Sequence, residues 1–348
     1  MNGAKDIRSY GYKVGNIPCG AFNLITDVPG VKVGHCTVEE NNHKTGVTAI
    51  IPCEGNVFAR KPVAGVFSLN GYGKTAGSIQ IDELGVIETP ICLTNTLNVG
   101  KVADALVEYT IQQCRADHIP VRSINPIVGE TNDSLINPIL DRAVERQHVF
   151  QALEHASKKF AQGCVGAGRG TVCCDLKGGI GSSSRVLSFA GKTYTLGALV
   201  QSNFGRMEDL MICGKPVGKT IAETLKPENS KDEGSIMIVI ATDIPLSARQ
   251  LKRVLKRATV GLVRTGSYMG HGSGDIFIGF TNGNYLPATD EKKFLEISCF
   301  PEDRLDDVFR MAAESVEEAI YNSLIYAHKE TGVDGNVYHC LGEFLPEC

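Results

Sequence analysis

Apolar residues recur with helical period in two long stretches of the chain. Leu251, Val254, Leu255, Ala258 and Leu262 fall at i, i+3, i+4, i+7 and i+11, while Lys252, Arg253, Lys256 and Arg257 take the opposite side. This spacing predicts a helix with one buried face and one solvated basic face. Leu305, Val308, Phe309, Ala312, Val316, Ala319, Ile320 and Leu324 form a second stripe, for which Gly332 offers the stop signal. Weaker periodicity predicts helices over 102–117 and 138–161. Between them lie short β-branched or apolar runs at Val47–Ile51, Val63–Leu69, Thr193–Val200, Ile236–Ala241 and Ile276–Phe280. Several are apolar at successive positions, as strands covered on both faces are. Helices at intervals among such strands predict layered α/β structure with sheet buried between helices. No internal repeat is present. One segment reads as a linker, the charged, turn-rich Lys226-Pro-Glu-Asn-Ser-Lys-Asp-Glu-Gly234, which leads directly into the strand-like Ser235–Ala241.

Composition narrows the classes. With 348 residues, 43% hydrophobic residues and a formal net charge of −4, the chain is too apolar and too balanced in charge to be disordered. We expect one globular unit over residues 1–348. The 35 lysines and arginines are scattered, so no basic stripe suggests a nucleic-acid partner. Met1 to Tyr12 is polar, and the longest apolar run, Ile236–Ala241, is far too short to span a bilayer. No membrane is expected as a partner, and the expected compartment is the cytoplasm. The 12 cysteines run from Cys19 to Cys348 without CxxC spacing, which reads as reduced core thiols. The eight histidines lie neither at i, i+4 nor near a cysteine pair, so no zinc or other metal site is expected.

Three motifs invite chemistry. Ser68-Leu-Asn-Gly-Tyr-Gly-Lys-Thr75 ends like a phosphate loop, but serine stands at position 68 where the Walker pattern needs glycine. The glycine-dense Gly163–Arg185 segment fits neither GxGxxG nor Walker order, and reads as tight turns and close backbone approaches. His271-Gly-Ser-Gly-Asp275 lacks the GxSxG elbow and is too compact for an ordinary triad. Gly234-Ser235 has another possibility. A serine opening a buried strand can attack the carbonyl before it, and an N-to-O acyl shift followed by hydrolysis would cut the chain. The new N-terminal serine would carry nucleophile and base in one residue, because an α-amine has a reference pKa of about 7.7–8.0. From spacing alone, a plain loop-to-strand junction is the favoured explanation of so common a dipeptide.

Gly234-Ser-Ile-Met-Ile-Val-Ile-Ala-Thr-Asp-Ile-Pro-Leu246 and Gly270-His-Gly-Ser-Gly-Asp-Ile276 resemble the nucleophile strand and assisting loop of the self-processing aminopeptidases, the family of the D-aminopeptidase/esterase DmpA and the β-peptidyl aminopeptidases. Gly30-Val-Lys-Val-Gly-His35, Leu93-Thr-Asn-Thr96, Val128-Gly-Glu-Thr-Asn-Asp133, Lys177-Gly-Gly-Ile-Gly181 and Val200-Gln-Ser-Asn-Phe-Gly205 resemble further family blocks in family order. Ordered blocks over almost the whole length are far more specific than any one motif.

The resemblance implies an α/β fold of the N-terminal-nucleophile-like αββα sandwich type, shared by DmpA and ornithine acetyltransferase, with two sheets between helix layers. It implies autocleavage between Gly234 and Ser235 into an α chain, 1–234, and a β chain, 235–348. It assigns Ser235 as nucleophile, Ser273 and Asp275 as a hydrogen-bonded relay, Asn203 as oxyanion donor and Glu130 as acceptor of the substrate ammonium. The implied activity is release of the N-terminal L-, D- or β-amino acid from short peptides, amides or esters without a cofactor, by a homo-oligomer, a tetramer of processed pairs. Two rivals stand beside it. An acyltransferase of the ornithine acetyltransferase type would use threonine where Ser235 stands, and a non-catalytic nucleotide-binding or scaffold protein would be built around Ser68–Thr75.

Overall fold

A computed structural model of the chain describes residues 6–226, 234–288 and 294–346. In chain order the strands are β1 (Lys32–Val38), β2 (Thr45–Ile51), β3 (Arg60–Gly71), β4 (Ile91–Asn95), β5 (Ile127–Thr131), the short pair β6 (Val172–Cys173) and β7 (Leu176–Lys177), β8 (Gly179–Phe189), β9 (Lys192–Asn203), β10 (Ser235–Thr242), β11 (Gly274–Pro287), and the short β12 (Glu330–Thr331) and β13 (Val337–Tyr338). The helices are α1 (Ser78–Leu84), α2 (Val99–Ala116), α3 (Arg146–Glu154), α4 (Val217–Leu225), α5 (Ala248–Arg264) and α6 (Leu305–Ile325).

Two mixed sheets face each other. One runs β1-β2-β4-β5 and the other β3-β11-β10-β9-β8, with parallel pairs at β4/β5 and β10/β11. Strand alternation explains the layers, because every residue of β10 is buried and successive side chains enter different cores. Met237, Val239 and Ala241 pack between the sheets against Leu93 and Ile127, whereas Ile236, Ile238 and Ile240 join the core formed with α5 and α6. On the far side, α2 and α3 cover Val47, Ala49, Cys92 and Val128. The order of layers is therefore helix, sheet, sheet, helix, as the resemblance implies. Among the described residues no helix is long and apolar enough to cross a membrane.

Helix α5 forms where its stripe predicts, and Ser247 starts it by accepting the Gln250 N–H while Gln250 Oε1 accepts the Ser247 N–H. Its basic face is not simply solvated. Lys252 pairs with Asp82 at 2.6 Å, and Arg249 and Arg253 both pair with Glu302.

Helix α6 stops at Ile325, seven residues before Gly332. The chain there is taken up by tertiary contacts, with the His328 N–H directed at Cys164 Sγ at 3.4 Å. The helix expected over 138–161 shrinks to Arg146–Glu154. Pro138 opens a short 3-10 turn before it, and after it Ser157 exchanges two backbone hydrogen bonds with Val33, drawing the chain into sheet pairing.

Among the described residues Cys53, Cys92, Cys114, Cys164, Cys173 and Cys174 are buried, as expected of core cysteines, whereas Cys299 is exposed and Cys19, Cys36, Cys213 and Cys340 are only half-buried. Of the linker-like segment, residues 227–233 lie outside the described residues.

Asp133, just past β5, supplies a stability prediction. Its side chain is buried and accepts from Asn95 Nδ2 at 3.2 Å and Asn137 Nδ2 at 3.1 Å, and burial pushes its pKa up to about 6. The folded carboxyl therefore holds its proton better than the unfolded one, so this group's stabilisation is complete below about pH 3.8 and is lost as pH rises through 6. Two pH units correspond to roughly 3 kcal/mol. Urea unfolding of Asp133→Asn and wild type at pH 4 and pH 7 should show the difference between them moving by about that amount in favour of the variant at pH 7.

Candidate active site

The site forms at one end of the space between the sheets. Ser235 opens β10 and shares its inter-sheet parity with Met237, Val239 and Ala241. Asn203 ends β9 and is the Cα partner of Ser235 in the antiparallel ladder. Leu199 and Asn203 lie on the same face of β9, so the pairing sets hydroxyl and amide side by side. Both residues are 6% exposed.

Backbone donors orient these two groups. The Val172 N–H donates to Asn203 Oδ1 at 2.9 Å. Because a backbone N–H can only donate, this contact identifies the amide oxygen and leaves Nδ2 as the end available to an oxyanion. The Gly274 N–H donates to Ser235 Oγ at 3.1 Å. Next to it Ser273 Oγ donates to Asp275 Oδ1 at 2.8 Å, with both residues fully buried. The serine-aspartate pair thus flanks the glycine that donates to the Ser235 hydroxyl.

Gly234 is a steric requirement. A Cβ at this position would stand 2.0 Å from the Asn203 carbonyl oxygen and 2.7 Å from Phe204 Cα. No side chain fits there unless the backbone at the end of β9 shifts.

Glu130 lies on β5 and is 3% exposed. Each of its oxygens receives one donor, with the Lys74 N–H reaching Oε1 at 2.9 Å and the Thr96 hydroxyl reaching Oε2. Gly73 lies between it and Gly274. A Cβ there would lie 3.5 Å from Glu130 Oε1, 3.8 Å from Gly274 Cα and only 2.8 Å from Ile276 Cδ1. The five residues named from sequence are therefore all buried near one end of the space between the sheets.

Sequence reasoning missed Thr96 as a partner of Glu130, although it closes the Leu93–Thr96 block. It also missed the three backbone donors, Lys74, Val172 and Gly274, because every residue except proline carries an N–H and no residue type marks it. Ser68–Thr75 has a different role from the one its GKT ending suggests. A carboxylate sits on the backbone N–H where a phosphate would have to bind, and this argues against the nucleotide-binding rival.

Replacing Thr96 with valine keeps the shape and removes one of the two donors that fix Glu130. A hydrogen bond to a charged group contributes about 1.5–3 kcal/mol. With Glu130 in the ammonium-accepting role that the resemblance implies, Thr96→Val should raise KM for free-amine substrates about tenfold with a smaller change in kcat, measured by steady-state kinetics.

Residues 23–338 match Peptidase family S58. The β-peptidyl aminopeptidase BapA of Sphingosinicella microcystinivorans is 37% identical over 340 residues, covering 91% of this chain and 84% of that protein. A β-aminopeptidase structure from Burkholderia sp. superposes with a TM-score of 0.90 at 40% identity, covering 97% of this chain and 96% of that one. The L-aminopeptidase D-Ala-esterase/amidase of Ochrobactrum anthropi, described as a prototype for the serine aminopeptidases and a new variant of the Ntn hydrolase fold, superposes with a TM-score of 0.89 at 34% identity, covering 97% and 95%. The fold is that variant, and the chain belongs to Peptidase family S58.

Proposed function

We propose that the chain is the precursor of a serine aminopeptidase that cuts itself between Gly234 and Ser235 and then removes single N-terminal residues from short peptides, amides or esters. The observation that carries this reading is the convergence of Ser235 Oγ, Asn203 and the Ser273–Asp275 pair directly behind Gly234. In the precursor, Ser235 Oγ attacks the Gly234 carbonyl carbon. The C–N bond breaks, the glycyl group moves to oxygen as an ester, and water hydrolyses it. Gly234 leaves as a carboxylate, and Ser235 keeps a free α-amine.

That amine is the base of the mature site. Its reference pKa of about 7.7–8.0 leaves part of it neutral near pH 7, where it takes the proton of its own hydroxyl. Glu130 pairs with the substrate ammonium and so sets the distance from the amine to the attacked carbonyl. Asn203 Nδ2 donates to the developing oxyanion, a contribution of about 3–4 kcal/mol for one such donor. The amine returns its proton to the leaving nitrogen, and water then releases the acyl group. Ser273 and Asp275 orient the serine as a third group orients the base of a triad.

The similarity to β-peptidyl and L-/D-specific relatives makes β-, L- and D-alanyl p-nitroanilides the first substrates to test. At least one should be hydrolysed, and its N-acetyl derivative should lose at least about a hundredfold in kcat/KM, the effect of removing a buried charge pair. Equal turnover of free and acetylated substrates would contradict the reading.

A further inference from the structure

The mouth of the site carries a cation that the mechanism above does not use. Strand β3 ends at Gly71, and Asn70 Nδ2 donates to the Gly270 carbonyl at 2.8 Å, tying this end to the loop that bears Ser273. The next residues cross the site. The Tyr72 carbonyl oxygen stands 2.6 Å from where a Cβ of Gly274 would lie, and the Lys74 N–H binds Glu130. The backbone of 72–74 therefore spans from the nucleophile loop to the ammonium acceptor, while its long side chains remain outside. Tyr72 is 59% exposed and Lys74 is exposed.

Lys74 Nζ rests 4.7 Å from the centroid of the Tyr72 ring, which in turn lies 6.3 Å from the His271 ring. Among the described residues no carboxylate pairs with this ammonium, although Glu130 accepts from the backbone of the same residue. The contrast is with Lys252, Arg249 and Arg253 on α5, which all have acidic partners. A cation over an aromatic face at an exposed position is held weakly. It can leave the ring for an anion that arrives with the substrate.

The geometry points to Lys74 as a specificity-determining residue that favours substrates carrying a carboxylate near the scissile bond. This rests on the aminopeptidase reading. Glu130 takes the ammonium, and Lys74, anchored to Glu130 through its own N–H, takes the carboxylate on the adjacent rim. Two positions of the anion satisfy this chemistry. In an isoaspartyl residue one carbon bears both ammonium and carboxylate, and the acyl carbon follows one methylene later, as in a β-amino acid. In an ordinary dipeptide the carboxylate belongs to the leaving residue.

Three substrates separate these sources. They are β-alanyl-alaninamide with no carboxylate, isoaspartyl-alaninamide with the anion on the released residue, and β-alanyl-alanine with the anion on the leaving residue. Their kcat/KM values are compared in the processed wild type, Lys74→Met and Lys74→Glu. We expect one of the anionic substrates to exceed the neutral one at least fivefold in wild type, the ratio to fall to near one in Lys74→Met, and to drop below one in Lys74→Glu. The arm that responds identifies where the carboxylate sits. Ratios that stay the same in all three proteins, while the neutral substrate is turned over, would overturn the inference and leave the aminopeptidase reading intact. No turnover of any of the three by wild type would count against that reading and remove this one with it.

Discussion

Ser235→Ala should yield a single uncut chain without hydrolytic activity. The substitution removes one oxygen and keeps the Cβ, and the seven strand residues after it, Ile236–Thr242, are all fully buried with partners on both sides. The fold therefore has little reason to change, and the unfolding midpoint should move only slightly. Both reactions lose their attacking atom. Removing a nucleophile from a serine hydrolase costs about 10⁶-fold in kcat, and here processing fails as well, so no terminal amine forms to act as base. Denaturing electrophoresis with a p-nitroanilide assay reads both effects from one preparation. Peptidase activity persisting in Ser235→Ala would remove this serine from the mechanism.

Glu130→Gln should separate binding from processing. The glutamine oxygen can still accept from the Lys74 N–H, and its amide can donate to Thr96 Oγ, which reverses its role. Local hydrogen bonding survives while the charge is lost. Glu130 belongs to β5 in the opposite sheet and takes no part in attack on Gly234, so the variant should still be cut. A buried charge left without its partner costs about 2–5 kcal/mol, which predicts a fall in kcat/KM of roughly 10²–10³-fold for substrates with a free amine. A variant that is cut and retains wild-type kcat/KM would remove Glu130 from ammonium recognition.

The parts of the fold that were legible in the sequence are those where burial follows a simple period. Strand β10 is apolar at successive positions and α5 is apolar on one face, and both form where the pattern puts them. The missed strands are instructive. Strand β8 reads Gly-Ile-Gly-Ser-Ser-Ser-Arg at its start, which resembles a loop, yet Gly179–Arg185 are all buried. Its polar groups find partners elsewhere in the fold. Ser182 Oγ donates to the Ala198 carbonyl, Ser183 Oγ to the Ser315 carbonyl, and Arg185 pairs with Glu314 and Glu318 of α6. Strand β5, Ile-Val-Gly-Glu-Thr, carries a glycine and a charge that only its distant neighbours explain. Gly129 leaves room for Met237, and Glu130 presents its carboxylate to Lys74 and Thr96. Propensity cannot anticipate polar burial satisfied by distant residues.

The same limit applies to the site. Ser235, Asn203, Ser273, Asp275 and Glu130 were named through ordered blocks resembling a family, and the geometry brings them together. Spacing along the chain could not have done so, because Glu130 and Ser235 lie in different sheets. The backbone donors that orient them depend on the fold alone.

N-terminal sequencing of freshly purified, active protein tests the central claim most directly. Self-cleavage after Gly234 predicts two sequences in equal yield, one from the start of the chain and one beginning Ser-Ile-Met-Ile. Active material that gives only the first sequence would contradict the account.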